Sequence, residues 1–588
     1  MRRVLPVLLA AAFALWSWPL SRDSVIGFGD DPLFNLWSFE TAWHNLSSHV
    51  PLLQAPLYGG SPLGLAWSEN QLAPAILFWP LRSLAANGAL ALNGAAVILS
   101  LLAFFCGSGW LRSLGLGELA PWGGLLFAGC GWLQSQAAHA QNVCLFVLPL
   151  AFWSWEAFKR DPKLWRLLLC GAAFGWIGAW NLYFQIFADA CLAVWALRAR
   201  RPAPLLLAFV FQLPILWPYL ELGRSLGGFT ALSTYGASWK SLLGSAHRPR
   251  FLLPSFEVEI EAAGYLGPFF IALLLYSFRR RESRPWLLAA GAAFWVALGR
   301  GFGLFDLLAV LPGVSGLRAI GRAQVLVLLF SLPAALGLLQ SLPRRWAFAA
   351  LAVVMLDWLP ASRSERVAID EALYGPPTPL SRALSASDDA LLVLPAATPR
   401  FMLDATQSWT PYFGGYSGRA PAGEELLSAT SDPEAALDLT RARRVLALTS
   451  EAAQALRSSP RVREIGCFPH LDLRTPCLFE ASASQLPALR LDADAEMFEI
   501  AQQPWPIAEL RARRAGALDI AALDGCRMQQ TIHMGGLSYS RETPLKGLRG
   551  VRFGAGETIL RVEAKQWLVR AAHAPVTFRA ICSTREAG

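Results

Sequence analysis

Before roughly residue 360, apolar runs of about 15–20 residues recur at short intervals, and after it they shorten to strand length. Runs that long and that closely spaced read as membrane spans rather than core helices. The pattern predicts spans near 4–20, 91–111, 120–135, 142–158, 165–180, 182–198, 203–219, 265–279, 285–300, 323–341 and 345–360, about eleven in all. A further apolar stretch, 71–84, is short and contains Pro74 and Pro80, so a re-entrant or interfacial helix is expected there. Within the polar segment 21–90, Leu36, Phe39, Trp43, Leu46 and Val50 recur at spacings of three and four. They predict a helix from Pro32 to about Ser48, with Asn35, Ser38, Thr41, Asn45 and Ser48 away from its apolar face, as in a helix lying in the membrane interface.

After Pro360 the strand-length runs include Ala390-Leu391-Leu392-Val393-Leu394 and Arg444-Val445-Leu446-Ala447-Leu448, and residues 551–581 alternate like β-strands. The expected fold is an α-helical polytopic membrane protein with a C-terminal soluble domain, α/β or β-rich. Residues 1–360 form the transmembrane domain, with a first external loop at 21–90, and residues 361–588 form the soluble domain.

Charge orients this plan. Basic clusters at Arg2-Arg3, Lys159-Arg160 with Lys163 and Arg166, Arg198 with Arg200-Arg201, Arg279-Arg280-Arg281 with Arg284, and Arg344-Arg345 all fall on one side of the predicted spans. That side is expected to be the cytoplasm, which puts 21–90, 220–264 and everything after 360 outside a bacterial inner membrane. The formal charge of +9 then reflects membrane topology and not a nucleic-acid partner. The bulky Trp16-Ser17-Trp18-Pro19 offers no small-residue cleavage site, so the first apolar run reads as an uncleaved helix. Of nine cysteines, Cys106, Cys130, Cys144, Cys170 and Cys191 fall in predicted spans and read as packing residues. Cys467, Cys477, Cys526 and Cys582 lie in the soluble part, an even number that fits disulfides in an oxidising compartment. Pairing Cys467 with Cys477 and Cys526 with Cys582 is one of three connectivities.

Several short runs occur in a recognisable order. They are Gly27-Phe28-Gly29-Asp30-Asp31-Pro32-Leu33-Phe34-Asn35-Leu36-Trp37, Ser68-Glu69-Asn70, Leu92-Asn93-Gly94, His139-Ala140-Gln141, Glu261-Ala262-Ala263-Gly264-Tyr265-Leu266-Gly267, and Leu317-Arg318 with Arg322. Trp409-Thr410-Pro411-Tyr412-Phe413-Gly414-Gly415-Tyr416-Ser417-Gly418 follows in the soluble part. Over roughly residues 1–420 this order resembles bacterial multi-spanning proteins with a GT-C-type glycosyltransferase fold, in their YfhO-like branch. The resemblance implies sugar transfer on the external face from a polyprenyl-phosphate donor to an envelope glycan, lipid or protein. It also implies a catalytic carboxylate in the first external loop.

Asp30 and Asp31 are the carboxylates at that place. Inverting transfer needs a base for the acceptor hydroxyl and a cation for the leaving phosphate. Asp31 before Pro32 also fits a plain helix N-cap. Glu69 is a second acid of the loop, expected to position the acceptor. Arg318 and Arg322 are four residues apart and share a helix face, suited to donor phosphate or to lipid headgroups. His44, His139, Asp189, Tyr412 and Tyr416 are further cavity candidates, each with a structural alternative: Asp189 could simply pair with Gln185. A divalent cation on the carboxylates is open, although the adjacent pair does not have Asp-x-Asp spacing. No Walker A, His-Glu-x-x-His or Gly-x-Ser-x-Gly motif occurs. A transporter or flippase of a lipid-linked component, and a non-catalytic assembly protein, are the alternative readings.

Overall fold

The computed structural model describes residues 4–68, 71–225, 235–246, 250, 252–253, 255–301, 304–310, 314, 317–360, 365–395, 397–416, 433–440, 442–468 and 475–482, and beyond them the backbone of nine strands between Phe498 and Cys582. The chain divides into two compact units. One comprises Met1–Val50, Glu69–Leu220 and Phe229–Gly375; the other comprises Pro51–Ser68, Glu221–Gly228 and Pro376–Gly588.

The first unit is helical, and helices occupy each apolar stretch. Among the described residues, four are long and apolar enough to cross a bilayer: Gly88–Ser113, Leu182–Ala199, Ala203–Leu222 and Ile320–Gln340. Gly88–Ser113 packs closely on Ala120–Ala128 because Gly124 has no side chain; a Cβ there would stand 2.5 Å from the Phe104 carbonyl oxygen. Small residues of this kind let helix backbones approach where lipid gives no hydrophobic drive. An aromatic cluster of Trp110, Phe152, Trp195, Trp286 and Phe330 fills the centre, with Phe152 stacked on Phe330 at 5.8 Å.

Two elements depart from the expected helices, and one, at 71–84, is short as expected. The stretch predicted as one span at 120–135 ends at Ala128 and restarts as the short Gly131–Ser135 helix. The chain then runs irregularly through a 3-10 turn at Ala140–Val143 before the Val147–Arg160 helix. The Leu72–Ala85 helix is 14 residues long, bounded by left-handed residues Gln71 (φ 49°) and Ala86 (φ 51°). At about 1.5 Å per residue it is too short to span. The second departure is the Asp31–Ser48 helix, which is not amphipathic against solvent: Asn35, Ser38, Thr41 and Asn45, expected on a wet face, are all buried. It therefore lies inside the unit rather than on a membrane surface.

A buried ion pair holds this helix. Glu40 accepts from Arg82 Nε at 2.8 and 3.0 Å, and the Arg82 guanidinium lies over the Trp43 ring at 4.4 Å. Burial pushes the Glu40 carboxyl up to about 6 despite Arg82.

The second unit contains a five-stranded sheet ordered Tyr412–Phe413, Leu391–Leu394, Arg444–Ala447, Cys477–Ala481, Val462–Cys467. Its first three strands are parallel and its last two antiparallel. Part of the first loop joins this unit. Pro56 accepts from the Tyr412 amide at 2.8 Å, Tyr58 donates to Gly414 at 3.3 Å, and Leu57 and Tyr58 are fully buried. Cys467 and Cys477 form a disulfide on adjacent antiparallel strands. Further on, seven antiparallel strands form one sheet, in which Cys526 is opposite Cys582 in register. Those two side chains lie outside the described residues, so their pairing stays at the level of backbone register.

Candidate active site

The site grows from one face of the Asp31–Ser48 helix. Asp31 and Asn35 are a turn apart and share that face. Asp31 Oδ2 is 3.0 Å from His139 Nε2, and Asn35 Nδ2 donates to the Ala138 carbonyl at 2.7 Å. Both contacts are to the irregular segment that follows Gly131–Ser135.

Irregular backbone inside a buried region needs internal hydrogen-bond partners, and side-chain amides supply them. Gln71 Nε2 donates to Asn35 Oδ1 at 2.7 Å and to Gln141 Oε1 at 3.4 Å. Asn181 Nδ2 donates to the Gln141 carbonyl at 3.2 Å and to Asn142 Oδ1 at 2.9 Å. Asn142 donates to Gln136 Oε1 at 2.8 Å, and Gln136 Nε2 donates to the Ile260 carbonyl. His139 is thus held in place by a neutral polar lattice.

The same nitrogen of His139 is 3.4 Å from Glu261 Oε1. Facing two carboxylates, Nε2 carries the hydrogen, while Nδ1 is buried with no hydrogen-bond partner among the described residues. Glu261 in turn accepts a bidentate pair from Arg322, Nε at 2.8 Å and Nη2 at 2.7 Å. The Arg322 guanidinium lies 4.5 Å over the Tyr183 ring. Burial alone would raise the Glu261 carboxyl, but Arg322, His139 and Arg318 together hold it down at about 2. Asp31, His139, Glu261 and Arg322 therefore form one continuous row.

Two glycines of the Glu261–Gly267 run make room for Gln324 and Asp357. A Cβ at Gly264 would stand 1.8 Å from Gln324 Oε1, and Gly267 has φ +76° with Asp357 Oδ2 2.1 Å from its Cβ position. Beneath them, buried Arg250 donates to Gln134 Oε1 at 2.6 Å and Ser245 Oγ at 2.9 Å, and lies over Tyr265 at 4.5 Å. Burial pushes its guanidinium down to about 10.

The other sequence candidates are placed as follows. Asp30, exposed, is at the N-cap position, its carbonyl accepting from the Phe34 amide; Asp31 is the first helical residue. The N-cap expected at Asp31 is therefore corrected by one residue. No side-chain cap bond forms at Asp30, and Asp31 is turned to His139. The Asp31 side chain is 35% exposed, open enough to meet a ligand. Glu69 lies outside the described residues. Arg318 is exposed, its carbonyl accepting from the Tyr235 amide at 2.7 Å and its guanidinium 5.8 Å from the Tyr235 ring centre. His44 is thirteen residues beyond Asp31 on the same helix, about 20 Å along its axis. Asp189 accepts from Gln212 at 2.7 and 2.9 Å and from Gln185 at 2.9 Å. Tyr412 and Tyr416 belong to the second unit. The Tyr412 ring is buried edge-on to Phe401, and the Tyr416 amide donates to Met402 Sδ at 3.1 Å. Among the described residues, no group of three His, Cys, Asp or Glu side chains has the geometry to hold a metal ion.

Glu261 is the residue that sequence reading missed as part of a site. It stood in a noticed run, but only the fold brings it to His139 and Arg322.

Neither a family model nor a curated protein matches the sequence. Solved structures do. A variant of the arabinofuranosyltransferase AftD from Mycobacteria superposes with a TM-score of 0.51 at 15% identity, over 82% of this chain and 42% of that one. A second class of an AftD variant gives 0.49 at 12% identity, over 100% and 60%. ArnT from Cupriavidus metallidurans, bound to undecaprenyl phosphate, gives 0.41 at 12% identity, over 82% and 98%. The chain thus spans less than two thirds of AftD's length. It has a GT-C fold, that of membrane glycosyltransferases, and is a membrane protein.

Proposed function

We propose that this protein is a glycosyltransferase that moves a sugar from a polyprenyl-phosphate donor to an acceptor at the outer face of the inner membrane. The observation that carries the reading is Asp31. It is a partly exposed carboxylate, held by His139, at one end of a buried row whose other end is the Arg322–Glu261 ion pair, in a GT-C fold.

The chemistry follows from that row. An acceptor hydroxyl attacks the sugar's anomeric carbon while Asp31 takes the hydroxyl proton. The bond from that carbon to the phosphate oxygen breaks, and the polyprenyl phosphate leaves with the electron pair. The His139 Nε2–H directs Asp31 and shares its charge, and a cationic side chain near the row stabilises the departing phosphate. Asp30, exposed at the helix N-cap, is a solvated acid in this scheme. In this reading the row faces the side opposite the basic loops, as the charge pattern of the sequence expects.

The test is transfer of radiolabelled sugar from polyprenyl-phosphate donors in membranes. Asp31→Asn is expected to lower turnover by about 100-fold or more, with Asp30→Asn within threefold of wild type. Equal turnover in wild type and Asp31→Asn would overturn the assignment of the base.

A further inference from the structure

Arg318 and Arg322 look equivalent in sequence, four residues apart on a basic segment. The structure separates them. Arg322 is 4% exposed, spends Nε and Nη2 on the two oxygens of Glu261, and covers the Tyr183 ring with its flat face. A phosphate taking those donors would leave a buried Glu261 carboxylate held by His139, with a second anion beside it. The low value to which Glu261 is held, about 2, agrees with a pair that stays ionised at every physiological pH. Arg318 is built the other way. Its backbone is fixed by the Tyr235 amide, its side chain is exposed, and it acts on Glu261 only through space.

We infer that Arg318 is the side chain that contacts the donor's phosphate, and that Arg322 is the internal counter-ion of Glu261 and binds no phosphate. This rests on the donor reading above and assigns its cationic contact to one residue. The recognised group is a phosphate monoester or diester on a lipid. Polyprenyl phosphate and ordinary anionic phospholipid share that chemistry, so the experiment must separate them.

The experiment is binding of undecaprenyl monophosphate to the full-length protein in nanodiscs, followed by native mass spectrometry, with phosphatidic acid as the competing source. Arg318→Gln is expected to weaken undecaprenyl monophosphate binding roughly 10- to 100-fold, the worth of a charge-assisted contact. The double variant Arg322→Gln with Glu261→Gln removes the internal pair without leaving a lone buried charge, and is expected to bind within about threefold of wild type. Weakening of the double variant to the level of Arg318→Gln would overturn the division of roles, as would wild-type binding by Arg318→Gln. Equal preference for phosphatidic acid would reduce Arg318 to a headgroup contact and overturn the proposal. No binding of either lipid by wild type would overturn the donor reading itself, a result distinct from a failure confined to the variants.

Discussion

Replacing Arg322 by methionine tests the buried row most directly. The change keeps the apolar stem near Tyr183 and removes the positive charge. Glu261, its side chain 11% exposed, then loses both bonds of its bidentate pair. Breaking a buried ion pair from one side costs about 3–5 kcal/mol, because an uncompensated charge stays behind. His139, 3.4 Å from the same carboxylate, offsets part of that, so about 3 kcal/mol is expected at pH 7.5. The pH dependence gives the reasoning its sign. In wild type the folded value of Glu261, about 2, is below its ordinary 4.5, so the pair's contribution is complete above pH 4.5 and fades only as pH falls toward 2. Without Arg322, burial raises the carboxyl above 4.5, and the variant is most stable when Glu261 is protonated. Its deficit should therefore already be present at pH 4.5, where the wild-type pair is complete, and grow further as pH rises through the variant's raised value. Unfolding in detergent, followed by thermal loss of the monodisperse peak between pH 4.5 and 8, measures this. Adding Glu261→Gln should recover most of the stability at pH 7.5. A loss under about 1 kcal/mol, or one that does not change with pH, would refute the buried-pair account.

Other predictions follow from the same packing. The folded Glu40 value of about 6 is above its ordinary 4.5, so the stability this group adds is complete below pH 4.5 and lost as pH rises through 6, about 2 kcal/mol in total; Glu40→Gln should flatten that part of the stability–pH curve. Gly267→Ala must place a Cβ at φ +76° and 2.1 Å from Asp357 Oδ2, and should lower the melting temperature and the yield of folded protein more than Ala substitution at Gly291, whose Cβ would meet open space. Reducing Cys467–Cys477, or replacing both by serine, opens a link ten residues apart in sequence and should destabilise the second unit by about 2–3 kcal/mol, read as earlier proteolysis of that unit.

The helical architecture was legible in the chain because bilayer thickness imposes a run length that few other constraints produce. Hence the runs at 91–111, 182–198, 203–219 and 323–341 sit on helices long enough to cross. The acids Asp30 and Asp31 stood out for a similar reason, as charge beside an apolar start. What sequence periodicity could not show was which polar residues are wet. Asn35, Ser38, Thr41 and Asn45 have the spacing of a solvated face, yet they are buried, and Asn35 supplies a hydrogen bond to the irregular segment after Ser135. The difference between the two aspartates is also tertiary: Asp31 meets His139, more than a hundred residues away, while Asp30 is exposed. Arg318 and Arg322 share a spacing and a charge, and are told apart only by Glu261, some sixty residues before them. Local run length and charge are properties of neighbours in the chain and survive in one dimension. Burial, pairing and the value of a buried carboxyl depend on what distant segments place beside it, and so they first exist when the chain has folded.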